Sequence, residues 1–458
     1  MRTYKEHLAQ VLSRFKTKGS FTQNLAITFS GNVVAQLLGF LLTPFIARIY
    51  GPEAYGLFSL FIAITNNLSP LTTMQFPGGY VAAQTEREFH NLIQLTVLTI
   101  GIISISSLLA IFFYSKPLLK FFNAEMLEPY LYFIPLYFLF MGTDNLLLGW
   151  NIRSKEFTRG AIAKIFSVVL SKGITLLWGL LVWPSALGII LGNLVSYPIE
   201  ASVKLSRSIR QSIKSVLLNF SVKDIWAVLK DYKGYPLFIT SGVIISNLSN
   251  HLPIYYLSIE FDATSVGLYA LASSLVILPL SIIIMSSTTV FLQKAAEMKS
   301  NQPDELKGMV YSLYNQFFYL SLFGLTIFSL ISEVVFVFLF GEAWRMSGEF
   351  AGYIALGSFF MMAAIPLSVL FRLFSMERVN FLLQAVSLFV KLAGLGLGIY
   401  FESIRISILG YSFATLLIHF ITLVYIFKLV NISAKKIALD LVISVSIFLA
   451  IFWIVYGY

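Results

Sequence analysis

The stretch AIAKIFSVVLSKGITLLWGLLVW, residues 161–183, is long and apolar enough to cross a bilayer as one helix, yet it carries Lys172 near its centre. A second stretch, LLQAVSLFVKLAGLGLGIYF at residues 382–401, carries Lys391 in the same way. A lysine at the bilayer centre costs roughly 2.5–3.5 kcal/mol on insertion scales, and ionisable residues kept there are functional candidates by default. The two stretches therefore predict a membrane protein whose interior attracts a negatively charged group.

The composition is that of a polytopic membrane protein. Hydrophobic residues make up 57% of the chain and charged residues 12%, whereas soluble domains are about a quarter charged. The absence of cysteine excludes disulfides, thiolate metal sites and cysteine nucleophiles. A net charge of +10 is one signature of nucleic-acid binding, but here the basic residues lie between apolar spans, as the positive-inside rule requires.

Enzyme motifs are missing from the sequence. There is no P-loop, no GxSxG motif and no zinc spacing among the four histidines. Without a nucleotide-binding fold, the energy for any transport must come from an ion gradient, the membrane potential or consumption of the substrate. The sequence therefore predicts no enzyme, no cofactor and no metal site.

A window of about 20 residues predicts about thirteen membrane spans. Most of the 32 lysines and arginines fall in the segments on the side of the N-terminus, which predicts that the N-terminus is cytoplasmic. The predicted spans are residues 25–49, 55–81, 92–114, 131–150, 161–183, 186–203, 235–257, 265–291, 314–339, 351–374, 382–401, 406–427 and 437–456.

The second half of the chain echoes the first. Arg372 precedes Lys391 by the same distance as Arg153 precedes Lys172. Both halves begin on the same side of the membrane, which indicates parallel repeats with a substrate site near the midplane between them. The predicted fold is therefore an all-α polytopic membrane protein with two parallel six-helix lobes around a central cavity, plus one extra C-terminal hydrophobic helix.

The predicted organisation follows from these spans and from the basic stretch between the sixth and seventh. The extra helix either spans the membrane or lies on its interface. The predicted divisions are a cytoplasmic amphipathic segment at 1–24, the N-lobe at 25–205, a basic cytoplasmic linker at 206–233, the C-lobe at 234–430 and the extra helix at 431–458.

Residues 32–60, NVVAQLLGFLLTPFIARIYGPEAYGLFSL, resemble the opening of the Wzx-type oligosaccharide flippases. These form the polysaccharide transport branch of the multidrug/oligosaccharidyl-lipid/polysaccharide exporter superfamily. The segments VGLYALASSLVILPLS at 266–281 and FGEAW at 340–344 fit the same pattern. The extra span departs from it, because family members usually have twelve or fourteen spans.

The resemblance implies a multi-pass protein of the bacterial inner membrane. It implies translocation of undecaprenyl-pyrophosphate-linked oligosaccharide from the cytoplasmic to the outer leaflet, for O-antigen, capsule or exopolysaccharide synthesis. Membrane lipid, a coupling H⁺ or Na⁺, a polysaccharide polymerase and its chain-length machinery are the partners that such a role implies; nucleic acid is not among them.

Candidate site residues are the polar and charged side chains at or near the spans. Lys172 and Lys391 are expected to attract the pyrophosphate in the central cavity, although pairing with a nearby carboxylate would also explain them. Arginine forks match phosphate oxygens, and amides contact sugar hydroxyls, but topology, interfacial anchoring and helix packing are competing explanations. The further substrate candidates are Arg48, Arg153, Arg372, Gln36 and Asn247.

Three embedded titratable residues are candidates for binding a coupling proton or cation: Asp144, Glu333 and His251. The two carboxylates are equally suited to neutralising a lysine, and a lone histidine near a helix end is more often structural.

Two other classes of function remain open at this stage. An ion-coupled multidrug exporter of the same superfamily would require embedded carboxylates for cationic drugs, whereas this chain offers embedded lysines. A membrane polysaccharide polymerase or glycosyltransferase would typically carry catalytic groups on a large outer loop, and the outer loops here are short. A structural scaffold leaves the central lysines unexplained.

Overall fold

The computed structural model describes residues 21–218 and 221–456, and the chain divides into two compact units. Unit 1 ends at His251 and unit 2 begins at Leu252. Residues 1–20 of the predicted amphipathic segment at 1–24 lie outside the described residues. The lobe boundaries predicted at 205 and 234 stay predictions, and the structure assigns the helices between them to unit 1.

Unit 1 is built from long helices joined by short connections. Short helical turns at Pro70–Thr73, Phe76–Gly79, Glu125–Leu127 and Glu128–Leu131 link some of them. The helices are α1 (Phe21–Leu68), α2 (Glu86–Phe121), α3 (Ile134–Arg153), α4 (Phe157–Leu181), α5 (Ala186–Lys204), α6 (Arg207–Leu218) and α7 (Val222–Asp231).

Helix α1 carries the first two predicted spans and is broken between them. Gly51 has φ 72° and ψ 173°, a conformation that a glycine adopts without steric cost, and Pro52 follows it. The second span is shorter than the predicted 55–81. Its helix ends at Leu68 and is followed by two short helical turns. Met74 and Gln75, which separate these turns, have backbone dihedral angles in the left-handed region.

Unit 2 begins inside α8 and continues as another run of long helices. A π-helical turn, Tyr235–Thr240, precedes α8, and a 3₁₀ turn, Glu342–Trp344, precedes α11. The helices are α8 (Ser241–Glu260), α9 (Ala263–Asn301), α10 (Pro303–Phe340), α11 (Arg345–Gly357), α12 (Met361–Leu367), α13 (Val369–Leu373), α14 (Glu377–Tyr400), α15 (Ile404–Leu429) and α16 (Lys435–Tyr456).

All thirteen predicted spans fall on helical segments. Among the described residues, eight helices are long and apolar enough to cross a membrane, or ten when two pairs bent by 54° and 51° each count as one span. The region 30–73 counts once although it holds most of two predicted spans. The prediction of an all-helical, multi-pass membrane protein is therefore confirmed.

Glycine allows α4 to pack closely on α5 in unit 1, and α14 to pack closely on α15 in unit 2. In unit 1, a Cβ on Gly192 of α5 would lie 2.8 Å from the Ser171 carbonyl oxygen and closer still to Thr175 Oγ1 of α4. In unit 2, a Cβ on Gly394 of α14 would crowd the backbone of Gly410 on α15. Because hydrocarbon gives no hydrophobic drive between helices, such close backbone approach supplies the association through van der Waals contact.

The predicted basic linker is folded as two amphipathic helices that pack on unit 1. Helix α6 buries Ile209 and Val216, and α7 buries Ile225 and Val228. Arg207 and Arg210 of α6 and Lys223 and Lys230 of α7 are exposed, as in helices that lie on a membrane surface.

Side chains of α2 hold this pair of helices in place. Arg87 Nη2 lies 2.7 Å from Asp224 Oδ2, and its hydrogen bond holds the pKa of that carboxyl below its usual value. Burial raises the pKa of Tyr232 to about 12, so its hydroxyl stays protonated and donates to Glu88 Oε1 over 2.8 Å.

The last helix, α16, is attached to α10 through a buried carboxylate. Asp440 is 1% exposed and accepts a hydrogen bond from Tyr314 at 2.6 Å, while Lys436 Nζ lies 3.4 Å from it. The extra C-terminal helix is thus an integral part of unit 2.

The glycine contact between α4 and α5 predicts the effect of a larger side chain. Gly192→Val should lower the stability of the protein by about 1–3 kcal/mol, because overpacking forces backbone shifts. The matched change Gly324→Val, where a Cβ meets nothing within 4 Å, should have a much smaller effect. Apparent melting temperatures in detergent compare the two, and equal shifts would contradict the packing argument.

Candidate functional site

Lys172 lies on the polar side of α4. Its neighbours Ser167, Ser171 and Thr175 are buried, whereas large apolar side chains such as Leu177 point outward and are exposed. Lys172 itself is half-buried, and it makes no hydrogen bond or ion pair with any residue that the structure describes. It is therefore a cation set among helices without a counter-charge from the described chain.

Lys391 occupies the corresponding helix of unit 2, α14, and is also half-buried. Its Nζ lies 5.6 Å from the ring centroid of Tyr411, which belongs to α15, and Tyr411 in turn meets Tyr269 edge to face at 6.3 Å. A cation–π contact stabilises a charge without neutralising it. No carboxylate pairs with Lys391 among residues 21–218 and 221–456.

The packing gives the two lysines the same local position in their units. Lys172 lies three residues before Thr175, which packs against Gly192 of the next helix. Lys391 lies three residues before Gly394, which packs against Gly410 of the next helix. The repeat inferred from sequence spacing is thus matched by equivalent contacts within each unit.

The three candidate arginines lie in different surroundings. Arg153 is tied into unit 1: it donates to the carbonyls of Tyr80 and Ala83, lies 3.0 Å from Glu86 Oε1 and sits over the Phe89 ring at 4.4 Å. These bonds occupy the guanidinium group of Arg153. They hold α3 against α2 and the turn that precedes it.

The other two arginines are exposed. Arg48 lies on α1, close before the break at Gly51, and Arg372 lies in the last turn of α13. Arg372 makes no hydrogen bond or ion pair with a residue in the described part of the chain, so its guanidinium is available to an anion.

The two candidate amides also differ. Asn247 donates a hydrogen bond to the Asn66 carbonyl at 2.9 Å, a contact between helices of unit 1 that serves packing. Gln36 is half-buried on α1 and makes no hydrogen bond with a described residue.

Asp144 belongs to a network of two carboxylates and two lysines, in which Asp144, Glu200 and Lys204 are buried and Lys164 is exposed. Lys204 Nζ lies 2.6 Å from Asp144 Oδ1 and 2.9 Å from Glu200 Oε2, and Lys164 Nζ lies 3.0 Å from Glu200 Oε1. Ser167 donates a further hydrogen bond to Glu200 at 2.8 Å. The network is neutral as a whole, which is the condition under which charges are tolerated in a low-dielectric interior.

Sequence reasoning missed Glu200, Lys204 and Lys164 as members of one site. In the sequence, Lys164 and Lys204 lie at the ends of the predicted spans 161–183 and 186–203, where the positive-inside rule alone accounts for a basic residue. The signal was the i, i+4 pair Glu200–Lys204 at the end of a span, since oppositely charged residues at that spacing share a helix face.

The other two coupling candidates have simpler surroundings. Glu333 forms an ion pair with Arg345, which also pairs with Glu342. His251 is half-buried and makes no hydrogen bond with a described residue. Among the described residues, no group of three or more histidine, aspartate or glutamate side chains is arranged to hold a metal ion.

Comparison with known proteins shows a family and a fold for the chain. Residues 21–292 match the sequence model of a family described as polysaccharide biosynthesis protein. No curated protein sequence matches the chain.

Two solved structures share most of the fold. A multidrug resistance MATE family transporter of the MOP superfamily, in an inward-facing conformation, is similar over 86% of this chain and 94% of its own, with TM-score 0.65 and 11% identity. The lipid II flippase MurJ, in an inward closed conformation, is similar over 94% and 98%, with TM-score 0.61 and 15% identity. The chain thus has the fold of a MOP-superfamily transporter.

The charge network predicts a compensating pair of substitutions. Lys204→Met or Asp144→Asn alone leaves an uncompensated buried charge and should lower stability by about 3–5 kcal/mol. The double variant restores neutrality, so it should recover at least half of that loss. Apparent melting temperatures of the four proteins form a double-mutant cycle.

Arg159→Met, which breaks an ion pair with Glu156 on the surface, provides the control and should change the melting temperature little. Losses that simply add in the double variant would show that Asp144 and Lys204 are not energetically coupled.

Proposed function

Because the chain belongs to the polysaccharide biosynthesis protein family, we propose that it is a flippase for lipid-linked oligosaccharide. It moves an undecaprenyl-pyrophosphate-linked oligosaccharide from the cytoplasmic to the outer leaflet of a bacterial inner membrane. The observation that carries the proposal is the pair of lysines, Lys172 and Lys391, held at equivalent positions in the two units.

The three lysines of helices α4 and α5 divide into two kinds, and the division supports this role. Lys164 and Lys204 are neutralised by Glu200 and Asp144, so they contribute to structure. Lys172 has no carboxylate partner among the described residues. An ammonium in that situation gains most from an anion supplied by a ligand, because desolvation disfavours an isolated charge.

A pyrophosphate group supplies that anion. It is acceptor-only and multiply charged, and charge-assisted hydrogen bonds to it are short and strong. One lysine in each unit offers the group a cation during its passage, while Gln36 offers an amide to the sugar hydroxyls. Arg372 and Arg48 are exposed cations that would meet phosphate nearer the surfaces.

The proposed orientation follows from the basic residues. Helices α6 and α7 expose Arg207, Arg210, Lys223 and Lys230, and basic segments of membrane proteins are retained in the cytoplasm. The end of unit 1 that carries α6 and α7 is therefore cytoplasmic in this proposal. The basic residues of the sequence lead us to propose a cytoplasmic N-terminus as well.

Asp144 is the residue that we propose for coupling to H⁺ or Na⁺. Its protonation would leave the network with a net positive charge, which disfavours the present packing of α3 against α5. Glu333 is the second choice because its ion pair with Arg345 is half-exposed and therefore weaker.

An ion-coupled multidrug exporter is the second candidate, favoured by the similarity to the MATE transporter. A cationic drug requires an unpaired carboxylate in the transport path. Asp144, Glu200 and Glu333 are all engaged with lysine or arginine, which disfavours this candidate. A polymerase or glycosyltransferase is disfavoured because the family and the fold relatives are transporters and flippases.

Removing the charge of either lysine should slow transport. Lys172→Met and Lys391→Met each keep the apolar stem but lose one hydrogen bond to a charged group, a loss of about 1.5–3 kcal/mol and hence about ten- to a hundredfold in rate. The measurement is movement of a lipid-linked oligosaccharide in proteoliposomes.

Two controls accompany this experiment. Lys172→Arg and Lys391→Arg keep the charge and should retain most of the activity, and Lys116→Met removes an exposed lysine of α2 and should change nothing. If the correctly inserted double methionine variant transports at the unmodified rate, the lysines do not bind the substrate.

Deletion of the gene distinguishes the candidate functions in the cell. The flippase proposal requires lipid-linked oligosaccharide to accumulate on the cytoplasmic leaflet with loss of surface polymer, as measured by leaflet-selective labelling and mass spectrometry. An unchanged pool with increased drug sensitivity would indicate the exporter, and accumulation on the outer leaflet would indicate a polymerase.

A further inference from the structure

Unit 1 contains an apolar groove of about 690 Å³ that plays no part in the lysine sites. Its walls come from α2, α3 and α5, and α6 closes one end. The lining includes Val97, Gly101, Leu139, Ala201, Ile213 and Val216. Several of these side chains, such as Val97 and Leu139, are about 40% exposed, so the groove opens at the surface of the unit.

The few polar groups of the groove have their hydrogen bonds satisfied within their own helices. Thr143 donates to the Leu139 carbonyl and Ser202 donates to the Ile199 carbonyl, each at 2.7 Å. The lining thus offers little to water, and an apolar cavity of this kind is suited to hydrocarbon.

The helix that closes the groove has a basic outer face. Helix α6 turns Ile213 and Val216 toward the groove. Arg207 and Arg210 are exposed, and their guanidinium groups make no hydrogen bond or ion pair with described residues. An apolar groove beside unpaired cations, at the end of a membrane-spanning bundle, is complementary to a lipid with an anionic headgroup.

We propose that this groove is a binding site for an anionic phospholipid of the cytoplasmic leaflet. One acyl chain lies among α2, α3 and α5, and the phosphate contacts Arg207 and Arg210. The bound lipid covers an otherwise exposed apolar surface and contacts both α6 and the rest of the unit. The lipid composition of the leaflet therefore affects how stably α6 packs on the unit.

A phospholipid is a better occupant than the polyprenyl chain of the transported substrate. Helix α4, which carries Lys172, contributes no residue to the groove. A lipid seated here therefore holds its phosphate at α6 rather than at Lys172. The site is independent of the proposed function, apart from the orientation that makes the leaflet cytoplasmic.

Native mass spectrometry of the full-length protein tests the proposal. The protein is released from nanodiscs that contain phosphatidylglycerol and phosphatidylcholine with identical acyl chains, and the retained lipid is counted. The unmodified protein should retain phosphatidylglycerol at least tenfold more than phosphatidylcholine. Arg207→Gln with Arg210→Gln should abolish this preference but leave the weaker retention of both lipids.

Filling the groove should abolish retention of either lipid. At Gly101, a Cβ meets nothing within 4 Å, so Gly101→Leu projects into the groove and also favours the helix. Gly324→Leu is the matched control, because its Cβ is equally free on α10 of unit 2, and it should bind like the unmodified protein. Ser202→Phe fills the groove from the opposite wall and replaces Gly101→Leu if that variant does not fold.

Three results would overturn the proposal. Equal retention of both lipids, or unchanged retention when the groove is filled, would show that no anionic phospholipid is bound there. Displacement of phosphatidylglycerol by an equimolar amount of undecaprenyl phosphate, sensitive to Gly101→Leu, would assign the groove to the polyprenyl chain instead.

Discussion

A charged side chain surrounded by hydrocarbon must find a counter-charge, and this requirement governs how unit 1 is assembled. Lys204, 2% exposed, lies between Asp144 and Glu200, which come from α3 and α5, and Lys164 of α4 completes the neutral set. Three helices are therefore held in one register by groups that none of them could bury alone. Because the balance is local, a change in one protonation state alters the packing of all three.

Because of the same requirement, lysines that have no counter-charge within the protein need a different explanation. Lys164 and Lys204 are neutralised by carboxylates of the protein, whereas Lys172 and Lys391 have no carboxylate partner in the described chain. One of these unpaired lysines lies in each unit, at the same place relative to a glycine contact. The requirements of helix packing explain a neutral charge network. They do not explain an unpaired cation that recurs in both units. The anionic lipid-linked oligosaccharide that we propose as substrate would account for these lysines, because ionisable residues kept inside a membrane protein are candidates for a functional role.

Backbone contact and surface helices complete the architecture. Small residues let α4 approach α5 and α14 approach α15, so the helices that carry the lysines are fixed firmly against their neighbours. The amphipathic helices α6 and α7 pack on the other helices of unit 1 through buried apolar residues, and Arg87 and Glu88 attach α7 and the residue that follows it to α2. These features place the cations on rigid elements rather than on loops.

The sequence by itself determined that the chain is helical and crosses the membrane many times, because length and hydropathy decide which segments can cross a bilayer. It also identified Lys172 and Lys391, since a lysine in an apolar run is conspicuous in one dimension. Only the tertiary structure decided which charges are paired. Arg153 is engaged by the carbonyls of Tyr80 and Ala83, and Asp144 by Lys204, partners far away in sequence. Ion pairing depends on distances of a few ångströms between helices, and no pattern along the chain encodes those distances.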